Sequence, residues 1–293
     1  MKSLSRRASA SLAAASLALL TELPMAAHAY TYTYSSAYIN DWSNCDSPCS
    51  NYGHLNYTDE QINMFDSRMT VHGNTRKHKY SNTSVWASDY IEDQLSFSPA
   101  YSMGGQDYYH TDDSEMVAYA GQGRSFSYTV DSGQLLQMHL CKKGTAANGC
   151  WINSDYIRFG EQRGEYALNP GQARFMLLMV DFSVDERPNE QWGQAMYRGL
   201  EYTMGYRGWS SDDARTDEVG GDWADKAMGE SWTFKSAWFW AVEDWWLNDV
   251  GSLVSVGVNA AEADIRRDNL DKNWAPRSAL DVSNWYSWSY HQG

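Results

Sequence analysis

The sequence predicts an α/β protein built on a mainly parallel β-sheet with helices on both faces, and three observations carry that reading. Met116 to Ala120 is a compact apolar run that empties into Gly121-Gln122-Gly123, and the run after Arg174 is apolar as far as Val180 before it stops at Asp181-Phe182-Ser183. Strands buried on both faces have this form, without the alternation of a half-wetted strand. The third observation is order: strand patterns and helix patterns alternate along the chain instead of segregating into separate halves.

The elements follow in sequence. Residues 1–29 read as a cleavable export signal: Lys2, Arg6 and Arg7 form a positive start, Ala8 to Leu20 carries no charge, and Ala27-His28-Ala29 supplies small residues for cleavage after Ala29. The uncharged run is too short to span a membrane, which takes about 20 apolar residues, so no membrane span is expected. Arg6-Arg7 raises the twin-arginine route, but Ala and Ser follow where that route favours bulky apolar residues, so general secretion is preferred. An uncleaved N-terminal anchor is the alternative. Residues 30–293 are expected to form a single α/β domain, secreted or otherwise outside the cytoplasm.

Thr31 to Asn40 sets Tyr32, Tyr34 and Tyr38 on one face and predicts a first strand. A loop bearing Cys45, Pro48 and Cys49 follows, then a helix with Thr58 as N-cap, Asp59 and Glu60 in its first turn, Ile62, Phe65 and Met69 on its buried face, and Gly73 at its end. His72 to Thr83 reads as polar loop, and Val85 to Tyr90 as a short strand or structured connection. Phe126 to Tyr156 alternates and contains two cysteines, so it reads as a hairpin-like insertion. Beyond the second apolar run, helices are expected over Trp192 to Tyr202, Trp223 to Met228, Ser231 to Leu247 and Ala260 to Leu270, with a strand over Leu253 to Val258 and an aromatic tail. Tryptophans inside the helical patterns are assigned to the core, and those in loops to a possible groove.

The four cysteines, Cys45, Cys49, Cys141 and Cys150, form two close pairs along the sequence. Both intervals contain turn residues, which favours local disulfides, Cys45 with Cys49 and Cys141 with Cys150. A four-cysteine metal site is the competing reading, but neither spacing is that of a zinc knuckle. Losing the leader moves the formal net charge from −14 to −16, which disfavours nucleic acid and anionic membrane as partners.

No metal and no cofactor are expected. His-Glu-x-x-His, Gly-x-Ser-x-Gly and the phosphate-binding glycine loop are all missing from the sequence. His54, His72 and His78 have no ligand spacing, and Asp185-Glu186, Asp212-Asp213 and Asp217-Glu218 lack both the calcium-loop pattern and a spacing that would pair two catalytic carboxylates. In open α/β sheets, ligands bind beyond the carboxyl ends of the strands, which directs attention to Gly121 to Arg124 and Asp181 to Asp185.

Asp113, Tyr119, Gly121, Gly123, Leu178, Asp181, Gly199-Leu200, Gly205-Tyr206 and Ala237-Trp238 together give the chain, from about Ser35 onwards, a resemblance to a family of uncharacterised bacterial secreted proteins and, through it, to the caspase-like and gingipain-like cysteine peptidases. The resemblance implies their architecture. It also implies a general base on the loop after one strand and a thiol nucleophile on the loop after the next. Here Gln122 stands at the histidine position and Ser183 at the cysteine position, and a glutamine cannot serve as the base that a serine hydroxyl needs. His110, in an acidic stretch with Asp112 and Asp113, is the preferred candidate for a rescue base, and His139 in the insertion is the other.

The expectation is therefore a peptidase-like fold without the dyad, with a crevice lined by Gln122, Arg124, Asp181 and Ser183 that holds an extended peptide or protein ligand. The alternatives are an active secreted hydrolase, either a serine variant or a carboxylate-based glycosidase, and a structural or adhesion protein of the envelope.

Overall fold

A computed structural model describes residues 30–45, 47, 49–91, 110–127, 134–141, 150–154, 157, 159–160, 171–185, 191–193, 195–196, 199–243, 249–274 and 285–292. The export segment and Ala29 lie outside the described residues, as do Glu186, Pro48 and the end of the helix predicted to Leu247.

Seven strands form the main sheet: β1 (Thr33–Tyr38), β2 (Thr75–Ser81), β3 (Met116–Ala120), β7 (Phe175–Met179), β8 (Tyr202–Tyr206), β9 (Val250–Gly257) and β10 (Trp285–Gln292). Their spatial order is β10-β9-β8-β7-β3-β1-β2. Neighbours from β2 through β8 pair in parallel, while β9 runs antiparallel to both β8 and β10. A second sheet of three antiparallel strands comprises β4 (Gly123–Ser127), β5 (Gln134–His139) and β6 (Trp151–Asn153).

The two central strands explain their own sequences. Met116, Ala118 and Ala120 of β3, with Phe175, Leu177 and Met179 of β7, enter one buried cluster, whereas Val117, Tyr119, Met176 and Leu178 enter the other. With apolar neighbours above and below, no position is left for a polar residue.

Over the first face lie α1 (Thr58–Val71), α2 (Val219–Ala224) and α3 (Phe234–Val242), which supply Ile62, Phe65, Met69, Trp223 and Trp238 to the cluster. The last helix, α4 (Ala260–Asn269), packs on β9 and β10. Among the described residues the opposite face is covered chiefly by the small sheet, through Leu136, Met138 and Ile152, and by helical residues 191–193 and 195–196, which contribute Trp192, Ala195 and Met196. Helices thus flank the sheet unevenly among the described residues. The hairpin-like insertion takes the place of helices on one side, and it begins at Gly123, earlier than its predicted start at Phe126.

Several expectations are corrected. His72 to Thr83 contains β2, not a polar loop: Arg76, Lys77 and Lys79 belong to an edge strand, where charged side chains remain in water and block further pairing. Thr58 is the first residue of α1 and not its cap; the exposed amides of Asn56 and Tyr57 are instead satisfied by the carboxylate of Asp212, at 2.6 and 3.0 Å. Trp192 to Tyr202 does not continue as helix to Tyr202, which opens β8 with Gly205 inside the strand. Ser231 precedes its helix because Thr233 caps α3, its side chain accepting from the amide of Ser236. Of the two readings of Val85 to Tyr90, the structured connection is the one found, with one short helical turn, Ala87–Asp89. Trp42, a loop residue, is fully buried.

The disulfides also differ from expectation. Cys45 joins Cys141 and Cys49 joins Cys150, with Cα separations of 4.8 and 5.3 Å. Cys141 and Cys150 sit at neighbouring ends of β5 and β6, where the amide of Leu140 donates to the carbonyl of Cys150 at 2.7 Å. Both therefore present their sulfurs to the loop after β1, and that loop brings Cys45 and Cys49 across to meet them. Turn residues between paired cysteines marked close approach of the backbone, not the bridges themselves.

Candidate functional site

The loops after β3 and β7 meet because their strands are adjacent and parallel, with Ala120 opposite Met179. The contact depends on glycine: a Cβ on Gly123 would collide with Val180 and with the carbonyl of Asp181. Gln122 lies across the seam, and its side-chain amide donates at 3.4 Å to both Asp181 Oδ2 and the carbonyl of Gly123.

Asp181 is buried, and its Oδ1 accepts from both the amide and the hydroxyl of Ser210, each at 2.6 Å. Burial raises its carboxyl above the usual aspartate range against the pull of the Ser210 hydrogen bonds, and Asp249 and Asp212 raise it further. Asp249 holds the amide and hydroxyl of Ser211 at 3.0 Å in the same way. With Asp212 tied to Asn56 and Tyr57, three aspartates fasten the loop after β8 to the carboxyl ends of the sheet. Phe182 adopts a left-handed backbone, φ 54°, and its ring meets Trp209 edge-on at 4.8 Å. Trp209 is 69% exposed, so this enclosed polar network carries one large aromatic surface open to a ligand.

Ser183 follows the same loop but turns inward. It is fully buried, its Oγ accepts from the amide of Tyr206 at 2.8 Å, and it donates to the carbonyl of Leu178 at 3.3 Å. Gly205 makes room for it, since a Cβ there would strike the Ser183 hydroxyl. The Ser183 carbonyl accepts from the indole of Trp192 at 2.7 Å. Ser183 is thus a clasp between β7 and β8, and the structure pairs Gln122 with Asp181, not with Ser183.

The other predicted site residues are dispersed. Arg124 donates to Gln137 at 2.7 Å and stacks 4.0 Å over Trp151 on the small sheet, and Gln137 passes a 2.6 Å bond on to Asn153. His110 lies on the β2 side, with Nδ1 2.5 Å from the Tyr80 hydroxyl and Nε2 4.0 Å from Asp89. Asp112, expected beside it, accepts from the amides of Gly160 and Ala173 instead, and Asp113 faces His78 and Lys77. No contact joins His110 to Ser183. His72 pairs with Asp225 at 2.7 Å, away from His78. Among the described residues, no three His, Cys, Asp or Glu side chains gather as metal ligands.

The residues of the resemblance hold these loops in place. Tyr119 donates to the carbonyl of His139 at 2.8 Å and crowds Gly121, Gly199 abuts Gly160, and Trp238 donates to the carbonyl of Gly205 at 3.0 Å.

His139, the other histidine weighed as a rescue base, lies behind the seam and not against Ser183. The backbone amide of His139 donates to the carbonyl of Gln122 at 3.0 Å, directly behind the seam. The imidazole of His139 is enclosed by Trp42, Tyr52 and Trp151, with ring centroids 5.4, 3.9 and 4.5 Å away, and among the described residues neither nitrogen has a hydrogen-bond partner. Burial, reinforced by the Arg124 cation, pushes its pKa down to about 4. An unfolded histidine takes up its proton near 6.5, so the unfolded chain binds more protons as pH falls from about 6.5 to about 4, and the folded state loses stability across that window. His139→Phe is expected to remove about 2 kcal/mol of the acid-induced loss, read by urea unfolding at pH 7 and pH 4.5. An equal loss in wild type and variant would assign the acid sensitivity elsewhere.

The model of one protein family, a domain of unknown function designated DUF6345, matches residues 38–286, and the chain belongs to that family. No curated protein matches the chain.

Proposed function

We propose that this DUF6345 member is an exported peptide-binding or regulatory protein that keeps a caspase-like or gingipain-like scaffold after losing the peptidase dyad. The observation that carries the reading is the state of the two dyad positions. Gln122 donates to Asp181 at 3.4 Å, and the Ser183 hydroxyl is enclosed, with a donor and an acceptor already engaged. A glutamine amide cannot take a proton from a nucleophile, and Ser183 cannot attack a carbonyl without breaking the junction between β7 and β8. The adjacency of β3 and β7 supports the scaffold, because the family's two catalytic loops also follow neighbouring strands. The two disulfides support export, since such bonds persist in oxidising compartments. The described residues contain no helix long and apolar enough to cross a membrane.

Binding fits the local chemistry better than turnover. Trp209 offers an exposed ring beside a rigid polar floor, a combination that holds a peptide by stacking and by backbone hydrogen bonds. A random peptide library passed over the immobilised protein is expected to leave a retained subset, weakened about tenfold or more by Trp209→Ala with Gln122→Ala. A library that no folded wild-type protein retains would remove the proposal.

A second reading draws on one observation: the burial-raised carboxyl of Asp181, next to the charges of Asp249 and Asp212, is the kind of group that carbohydrate hydrolases use as an acid. Glycan hydrolysis abolished by Asp181→Asn would favour it over peptide binding.

A further inference from the structure

The two edges of the main sheet are treated differently. At one end β2 carries Arg76, Lys77, His78 and Lys79, the charges that keep an edge from recruiting another strand. At the other end β10 is eight residues long, Trp-Tyr-Ser-Trp-Ser-Tyr-His-Gln, with neither proline nor a lysine, arginine, aspartate or glutamate. Its only titratable side chains besides the tyrosines belong to His291, which stacks on Phe239 and lies 3.9 Å from Glu243. Among the described residues no strand pairs with the outer side of β10, and Trp285 and Tyr290 are 52% and 48% exposed. A long, uncharged edge is a template for another strand unless something pairs with it.

The sequence of that edge specifies what. Tyr286-Ser287-Trp288-Ser289-Tyr290 reads the same in both directions. In an antiparallel pair of identical strands related by a two-fold axis, each residue faces its mirror position, so Trp288 meets Trp288, Tyr286 meets Tyr290 and Ser287 meets Ser289. Alternation puts Tyr286, Trp288 and Tyr290 on one face, the face where Tyr286 and Trp288 already pack on the core and the Arg207 guanidinium sits 4.1 Å over Tyr290. The small serines occupy the other face, where Ser287 binds Asp264 and Arg267 of α4. Pairing would join two three-ring aromatic stripes into one ladder of cross-strand contacts.

β10 itself carries no carboxylate, so two copies of the strand can approach without opposing acidic side chains on it. We propose that β10 is a homodimerisation edge, at which a second copy of this chain extends the sheet antiparallel about a two-fold axis beside Trp288.

One edge pair buries less than a standard interface, so association in the micromolar range is expected. Sedimentation of the full folded chain over a concentration series tests it. The wild type should pass from monomer to dimer, and Tyr290→Lys, a change at an exposed position that mimics the protected edge of β2, should weaken association about tenfold or more. Lys77→Ser on the opposite edge should leave it unchanged. A wild type that remains monomeric throughout the series, or a dimer indifferent to Tyr290→Lys, would overturn the proposal.

Discussion

Replacing Cys45 and Cys141 by alanine is expected to lower the unfolding free energy by about 3 kcal/mol, and removing both bridges by about 8 kcal/mol, enough to abolish folding of a domain of ordinary stability. The arithmetic follows from how the bridges overlap. Each alone spans a sequence separation of about a hundred residues, 96 and 101. With Cys49–Cys150 intact, however, the other bridge closes only a short circuit of roughly 13 residues through the two intervals 45–49 and 141–150. The first bridge lost therefore costs the short circuit and the second costs the long one. Local bridges would instead have been worth roughly 2 to 3 kcal/mol each, independently. Denaturant unfolding of the single- and double-bridge variants separates the two patterns, and peptide mapping without reductant identifies the linked fragments directly.

The next largest effect is expected at Arg266. Its guanidinium, on α4, pairs with Glu201 immediately before β8, and both side chains are almost fully buried. It also reaches Glu262 at 2.9 Å and lies over Trp274. Arg266→Met leaves the Glu201 carboxylate enclosed without its cation, a change worth about 3 to 5 kcal/mol. Glu201→Met in the same chain should restore much of that loss, because two apolar side chains of similar volume can replace a buried ion pair. Urea denaturation of the two single variants and the double variant completes the cycle, and strictly additive losses would show that the pair is not the source of the cost.

These numbers bear on how much of the molecule is written locally in its sequence. β3 and β7 were legible because burial on both faces leaves only apolar residues, and α1 because Ile62, Phe65 and Met69 repeat at helical spacing. β2 was not, since an edge strand protected by charge looks like a loop. The general position of the site was legible as well, because strand ends in a parallel sheet collect ligands, and Gln122 and Asp181 do meet there. The direction of Ser183 was hidden: it depends on Gly205, a residue on the next strand whose missing side chain admits the hydroxyl. The loop after β8 was hidden for a similar reason. Ser210, Ser211 and Asp249 are unremarkable along the chain and acquire a role only once β8 and β9 are placed side by side. His139 was legible as a histidine of the insertion, but nothing nearby in sequence announces the three rings that enclose it.

The central claim is that the loops at the ends of β3 and β7 hold peptide and do not cut it. Amide hydrogen exchange with a retained library peptide, followed by mass analysis of that peptide, tests it most directly. The account predicts slowed exchange at 121–124, 181–183 and 209–211, with the peptide recovered intact. Recovery of cleaved peptide, or protection confined to other segments, would contradict it.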